Sequence, residues 1–255
     1  MSTIDERRER ASAGVALRDE GEWRDGFARP RVFLQPIAAP SALGLAGFSV
    51  ATFMVAVVQA GWWGAWSDMP VIALFALFFG GVAQFAAGMW SYRARDVAAT
   101  VAHGAWGSFW MAFGLLNIFI LLHKLPAPAP GVSNSALGLW FFGLAYITFI
   151  PAVATLAENL GVAAVLATLT AGSALSCVGW FNGGIGSGWL GAGGVLFVIS
   201  AGLAAYTVLA MSLMAITKRT ILPTGELKKK ANVPGREQLQ AIELPWAEPG
   251  VKQGQ

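Results

Sequence analysis

Apolar positions run almost without interruption from Val32 to Thr217, and charged positions collect at the two ends of the chain. A helix needs about 20 apolar residues to cross roughly 30 Å of hydrocarbon. Six segments meet that requirement: Ser41–Gly61, Pro70–Trp90, Val97–Leu122, Ala136–Leu156, Gly161–Phe181 and Leu190–Thr217. The breaks between them carry turn residues or charge: Gly64 to Pro70, Arg93 to Asp96, the Pro-Ala repeat from Pro126 to Gly131, Glu158-Asn159, and Asn182-Gly183-Gly184. The pattern predicts an all-α integral membrane bundle of six spans, residues 39–222, between a charged leader (1–38) and a flexible basic tail (223–255).

Composition agrees with the pattern. The 255 residues are 56% hydrophobic and 12% charged, about half the charge of a soluble domain. Between Val32 and Thr217 the charged residues are Asp68, Arg93, Arg95, Asp96, Lys124 and Glu158. That excludes a water-soluble enzyme. With six spans, the face holding both termini collects 16 of the 17 Lys and Arg, and Lys124 alone lies opposite. The positive-inside rule then places both termini in the cytoplasm, and the span set predicts a multi-pass protein of the plasma (inner) membrane. Trp62, Trp63, Trp66, Trp180 and Trp189 gather at the outer ends, and Trp90 at an inner one. The basic tail suits an anionic lipid surface, and no nucleic-acid motif accompanies it. The single Cys177 reads as a packing residue.

The pentapeptide Ser41-Ala42-Leu43-Gly44-Leu45 opens span 1 and recurs as Ser135-Ala136-Leu137-Gly138-Leu139 at span 4. Spans 1 and 4 run in opposite directions, which raises a 3+3 inverted repeat as an expectation. Glycines on spans 2, 3 and 6 allow close helix contact in a tight bundle or oligomer.

Polar residues within spans are scarce. On span 3, His103, Trp106, Trp110, Phe113 and Asn117 share one stripe; on span 1, Phe48, Thr52, Val55 and Gln59 do the same. Gln84 lies in the middle of span 2, and Leu169, Ser173 and Ser176 share a face of span 5. Each alone reads as an interhelical tie; their presence on several spans points to a solute path. His103 reads either as a proton carrier or, at least as readily, as a buried neutral histidine bonded to a carbonyl. A dedicated carboxylate relay is not visible, so a coupled proton would travel on the substrate.

Taken in order, the motifs resemble those of the acetate uptake transporter family. Ala39-Pro40-Ser41-Ala42-Leu43-Gly44-Leu45 resembles its Asn-Pro-Ala-Pro-Leu-Gly-Leu signature, with Gly47-Phe48 at the family spacing. Gly80-Gly81-Val82-Ala83-Gln84 with Ala87-Gly88, Trp106-Gly107-Ser108-Phe109-Trp110, and Arg219 to Glu226 resemble the motifs of spans 2, 3 and 6. The resemblance covers roughly residues 39–226 and implies a channel or carrier for small monocarboxylates, extending to succinate, assembled as a hexamer. It also implies a constriction at Phe48, Trp106 and Leu169. The residues expected along the pathway are Pro40, Ser41, Leu43, Gly44, Phe48, Thr52, Gln84, His103, Trp106, Asn117 and Leu169. The chain departs from the family at Ala39, Ala42, Ser91, Asp96, Trp106 and Met211. Ser91 and Met211 stand where the family has Glu, which bears on proton coupling.

The expected partners are a small carboxylate anion, the lipid bilayer and further copies of the chain; no cofactor, metal or catalytic residue is expected. Two other readings compete: a channel for a small neutral solute, and a non-transporting scaffold or complex subunit. A membrane enzyme is the weakest reading, because no nucleophile–base pair, metal triad or cofactor motif is present.

Overall fold

The computed structural model describes residues 31–32, 37–225, 227 and 242–243. Six helices are long and apolar enough to cross a membrane: α1 (Pro40–Gln59), α2 (Trp66–Arg93), α3 (Val97–Leu121), α4 (Ser135–Thr155), α5 (Leu160–Phe181) and α6 (Gly188–Thr217). Each falls within a few residues of its sequence-predicted span. Separately, β1 (Arg31–Val32) and β2 (Ile242–Glu243) pair antiparallel, Arg31 opposite Glu243. The rest of the expected leader, and of the tail including Lys228, Lys229 and Lys230, lies outside the described residues.

Most of the helices start at a residue that stops the backbone from fraying. Asp96 accepts from Ala99 N at α3, Asn134 from Leu137 N at α4, Asn159 from Val162 N at α5, and Ser187 from Leu190 N at α6. α1 has no side-chain cap and starts instead with Pro40, whose missing N–H costs nothing in the first turn.

Each helix packs on its neighbours in sequence, and α1 also packs on α6, which closes a ring with its thinnest seam between α3 and α4. Small residues set the close contacts: a Cβ on Gly107 would lie 2.7 Å from Phe85 Cα. Side-chain bonds add ties across the ring. Gln59 Nε2 donates to Ser176 Oγ and Leu190 O, both at 2.9 Å, joining α1 to α5 and α6. Ser200 Oγ donates to Val165 O at 2.8 Å.

Helix α2 is not regular along its whole length. Residues Leu77–Ala83 form a π-helical stretch inside α2, at the height where Gly47 of α1 and Trp110 of α3 press on it. A Cβ on Gly80 would meet Trp110 Cδ1 at 2.5 Å and Ala51 Cβ at 2.6 Å. Wider turns rotate everything that follows relative to a regular helix. Gln84, the first residue after the stretch, is thereby brought to the inside of the ring.

Candidate functional site

A cavity enters the ring from the end at which α1, α3 and α5 begin. Its inner volume is about 50 Å³, room for a few water-sized groups. Its rim is made by Ser41, Asp96, Thr155, Glu158 and Asn159, and its floor by Phe48, Trp106 and Leu169. The three floor residues come from α1, α3 and α5, two turns or more inside each helix.

The floor is rigid. Trp106 Nε1 donates to Thr148 Oγ1 of α4 at 2.8 Å, and both residues are buried. The Phe48 ring stands edge-on to Trp106, centroids 6.0 Å apart at 82°. Trp106 is also in edge contact with Phe109 (5.1 Å) and Phe197 (6.3 Å), and Phe141 packs on both of those. A continuous aromatic cluster therefore follows the floor, where the cavity ends.

The wall between rim and floor is uncharged. His103 and Gln84 are 4% and 2% exposed, and both line the cavity. Their Nδ1 and Oε1 atoms have no hydrogen-bond partner among the described residues. A buried polar atom without a partner is costly, so these two atoms are available to a polar solute. Gly44 is what lets His103 sit there: a Cβ at position 44 would lie 2.5 Å from His103 Cε1.

Of the residues expected along the pathway, Ser41, Phe48, Gln84, His103, Trp106 and Leu169 line one cavity, with Gly44 directly behind His103. Pro40 opens α1 beside the rim residue Ser41. Leu43 is 53% exposed and faces away from the ring. Thr52 is buried outside the cavity with its hydroxyl unpartnered. Asn117 donates to Phe113 O of its own helix at 2.9 Å and does not reach the cavity.

Two rim residues were read from the sequence as turn markers, Asp96 also as a departure from the family pattern, and neither as part of the pathway. Asp96 and Glu158 are half-buried and bring two carboxylates to the mouth. Burial raises the Asp96 pKa above the ordinary carboxylate value, the bond from Ala99 N opposes this, and the Glu158 charge adds to the rise. Their proximity depends on two turns, α2–α3 and α4–α5, meeting across the ring. No local spacing reports such a meeting.

The rim is held from below by the segment after α6. Leu160 N donates to Gly225 O (3.1 Å), Gly161 N to Thr224 O (2.8 Å), and Leu227 N to Glu158 O (3.0 Å). Asn159 Nδ2 donates to Thr224 Oγ1 at 3.2 Å, and Tyr206 donates to Pro223 O at 2.8 Å. These bonds satisfy the first free N–H groups of α5, which no α-helix can satisfy internally. Gly225 is required for the close approach: its φ is +71°, and a Cβ would meet Leu160 Cβ at 2.8 Å. Order thus continues past Leu222, where the sequence pattern suggested a flexible tail.

A ring of six membrane-length helices around a blind cavity with an uncharged wall defines an integral multi-pass membrane protein of the channel and transporter class. Sequence comparison gives the family. The profile of the GPR1/FUN34/yaaH family matches residues 26–228, and the chain belongs to that family. It is 28% identical to the succinate-acetate/proton symporter SatP of Escherichia coli over 194 residues, 74% of this chain and 96% of the relative. It is 32% identical to the ammonia transport outward protein 2 of Saccharomyces cerevisiae over 200 residues, 76% of this chain and 70% of the relative. The solved bacterial acetate channel SatP matches the fold with a TM-score of 0.66 at 25% identity, over 74% of this chain and 99% of that one. These relatives are small-solute channels and transporters, which bears out the recognition of the acetate uptake family made from its motifs.

Proposed function

We propose that the protein conducts a small monocarboxylate of acetate's size across the plasma membrane, passively or linked to a proton. The observation that carries this reading is the cavity itself: its wall is uncharged, with the unpartnered His103 Nδ1 and Gln84 Oε1 on it, and it is closed by Phe48, Trp106 and Leu169. A neutral His103 with its proton on Nδ1 donates to a carboxylate oxygen, and Gln84 Oε1, an acceptor, takes the O–H of the undissociated acid; neither traps the solute. A ring of bulky apolar side chains blocks leakage by excluding water until a solute or a side-chain motion opens it. The relative solved as an acetate channel supports the choice of solute.

In this reading residues 1–38 and 223–255 are cytoplasmic flanks of the membrane domain 39–222, and copies assemble in the bilayer, as a hexamer by family resemblance. The shared Ser-Ala-Leu-Gly-Leu at the first turns of α1 and α4 supports descent from an inverted repeat.

A second solute, ammonia, is favoured by a different observation: carboxylates at the mouth and no Lys or Arg among the residues that line the cavity. Uptake into proteoliposomes decides between them. Labelled acetate uptake above protein-free liposomes, competed by other short carboxylates and enhanced by an inward proton gradient, supports the first reading. Methylammonium flux without acetate flux supports the second.

A further inference from the structure

Beside the mouth of the cavity, a groove of about 260 Å³ runs between α3 and α4, at the thinnest seam of the ring. On the α4 side it extends over residues 150–158, roughly 12 Å along a helix that rises about 1.5 Å per residue. Its walls are apolar, with Val97 and Val101 on the α3 side and Ile150 on the α4 side. Val97 and Ile150 are exposed, so the groove opens on the outer surface of the bundle. One end is charged, lined by Arg95, Asp96 and Glu158. That end lies where membrane-spanning helices stop, at the depth of lipid headgroups. Trp90 and Tyr92, exposed at the end of α2 just before Arg95, mark the same level, as interfacial aromatic residues do.

The fold leaves these charges uncommitted. Arg95 makes no ion pair or side-chain hydrogen bond among the described residues, and neither does the Glu158 carboxylate. Asp96 accepts from Ala99 N through Oδ1 at 2.9 Å, and its Oδ2 takes no bond among the described residues. Both carboxylates stand on fixed backbone: Asp96 caps α3, and Leu227 N donates to Glu158 O at 3.0 Å. They are near enough for the Glu158 charge to raise the Asp96 pKa, so a cation between them relieves a repulsion already present. A free phosphate would use Arg95 alone and leave the apolar walls bare. A phospholipid whose headgroup joins a phosphate to a primary ammonium uses all of the groove. The guanidinium fork matches two phosphate oxygens. The ammonium donates up to about three hydrogen bonds, as a lysine does, to the open carboxylate oxygens. The first carbons of the acyl chains cover Val101 and Ile150. An anionic headgroup meets two negative charges against one positive, and a choline headgroup has no N–H to donate.

We propose that this groove binds a phospholipid with an ethanolamine headgroup, its phosphate on Arg95, its ammonium between Asp96 and Glu158, and its chains along Val101 and Ile150. The lipid fills the thinnest seam of the ring and ties the α2–α3 turn to the α4–α5 turn. Binding there does not depend on which solute the central cavity takes.

Native mass spectrometry of the full chain tests this. The protein is purified in detergent and mixed with dioleoyl phosphatidylethanolamine, phosphatidylglycerol or phosphatidylcholine, and the lipid retained per protomer is counted. The ethanolamine lipid should be retained about tenfold more than either of the others, the worth of one charge-assisted hydrogen bond. Arg95→Gln and Glu158→Gln should each lower that retention several-fold. Val101→Trp, which fills the groove and leaves its charges in place, should abolish it. Arg95 is exposed and the Glu158 side chain makes no bond among the described residues, so the two charge variants keep the fold and decide the matter even where Val101→Trp does not assemble. Equal retention of the three lipids, or a preference for phosphatidylglycerol, overturns the headgroup assignment. Selective retention that survives Arg95→Gln combined with Glu158→Gln overturns the assignment to this groove. Retention of no lipid, with neighbouring copies cross-linking through Ile150→Cys, overturns the proposal by showing that a second copy closes the seam.

Discussion

The indole N–H of Trp106 is held by the hydroxyl of Thr148 on the neighbouring α4, at 2.8 Å, and this bond sets the plane against which Phe48 packs edge-on. The α3–α4 seam is the thinnest of the ring, so a single hydrogen bond there carries more of the positioning than it would elsewhere. Thr148→Val keeps the shape and leaves a buried donor without a partner. Stability should fall by about 1 kcal/mol, as for interhelical hydrogen bonds in membranes, and basal solute leak should rise as the ring loosens. Thermal unfolding in detergent and liposome flux read the two effects; a full-strength barrier with an unpaired indole would show that ring packing alone holds the floor.

Phe48 is almost fully buried at the floor of the cavity and contributes the ring that faces Trp106. Phe48→Ala opens the constriction and should raise leak flux in liposomes several-fold. It should also cost about 3–5 kcal/mol of packing, so assembly has to be checked by gel filtration. Normal assembly with unchanged flux would remove Phe48 from the barrier.

The strap from Pro223 to Leu227 predicts an effect far along the sequence from the residue altered. Gly225→Val puts a β-branched side chain at φ +71° and against Leu160. The strap should lift, and the amides of Leu160 and Gly161, which it accepts from, should exchange with solvent at least about tenfold faster, a factor equivalent to 1.4 kcal/mol. Hydrogen exchange followed by mass spectrometry would detect this. Equal protection in parent and variant would mean that α5 keeps its first turn unaided.

Asp96 predicts a pH dependence of stability with a definite sign. Its folded pKa lies above the ordinary 3.8, chiefly through burial. The folded state therefore binds the proton more tightly than the unfolded one. This contribution is fully present below about pH 4 and is lost as pH rises through the folded pKa. Asp96→Asn removes the dependence and keeps the cap. The unfolding midpoint of the parent should fall relative to the Asn variant as pH rises above about 4, and parallel curves would contradict the assignment.

The six spans were legible because crossing a bilayer demands long apolar runs, and such runs need no partner to be recognised. The candidate floor could be assembled from the family resemblance: Phe48 and Trp106 lie in motifs of their own spans, and Leu169 was placed by its position in the family pattern. Leu43 and Asn117 sit in equally convincing local patterns, yet one faces outward and the other bonds to its own helix. Which face of an almost uniformly apolar helix points inward depends on its neighbours rather than on its own period.

Hydrophobic run length and charge placement thus determined on their own the number of helices and their limits within a few residues, and the short motifs identified the family. Tertiary structure alone decided the rest. The π-helical stretch of α2 that carries Gln84 inward arises where α1 and α3 press on it. The strap on α5 joins residues about 65 positions apart, such as Asn159 and Thr224. Asp96 and Glu158 share a rim because two turns meet across a closed ring. The physical reason is common to all three: hydrophobic transfer into lipid is a property of each segment by itself, whereas a close contact, a satisfied helix end or a paired charge is a property of two segments brought together by packing.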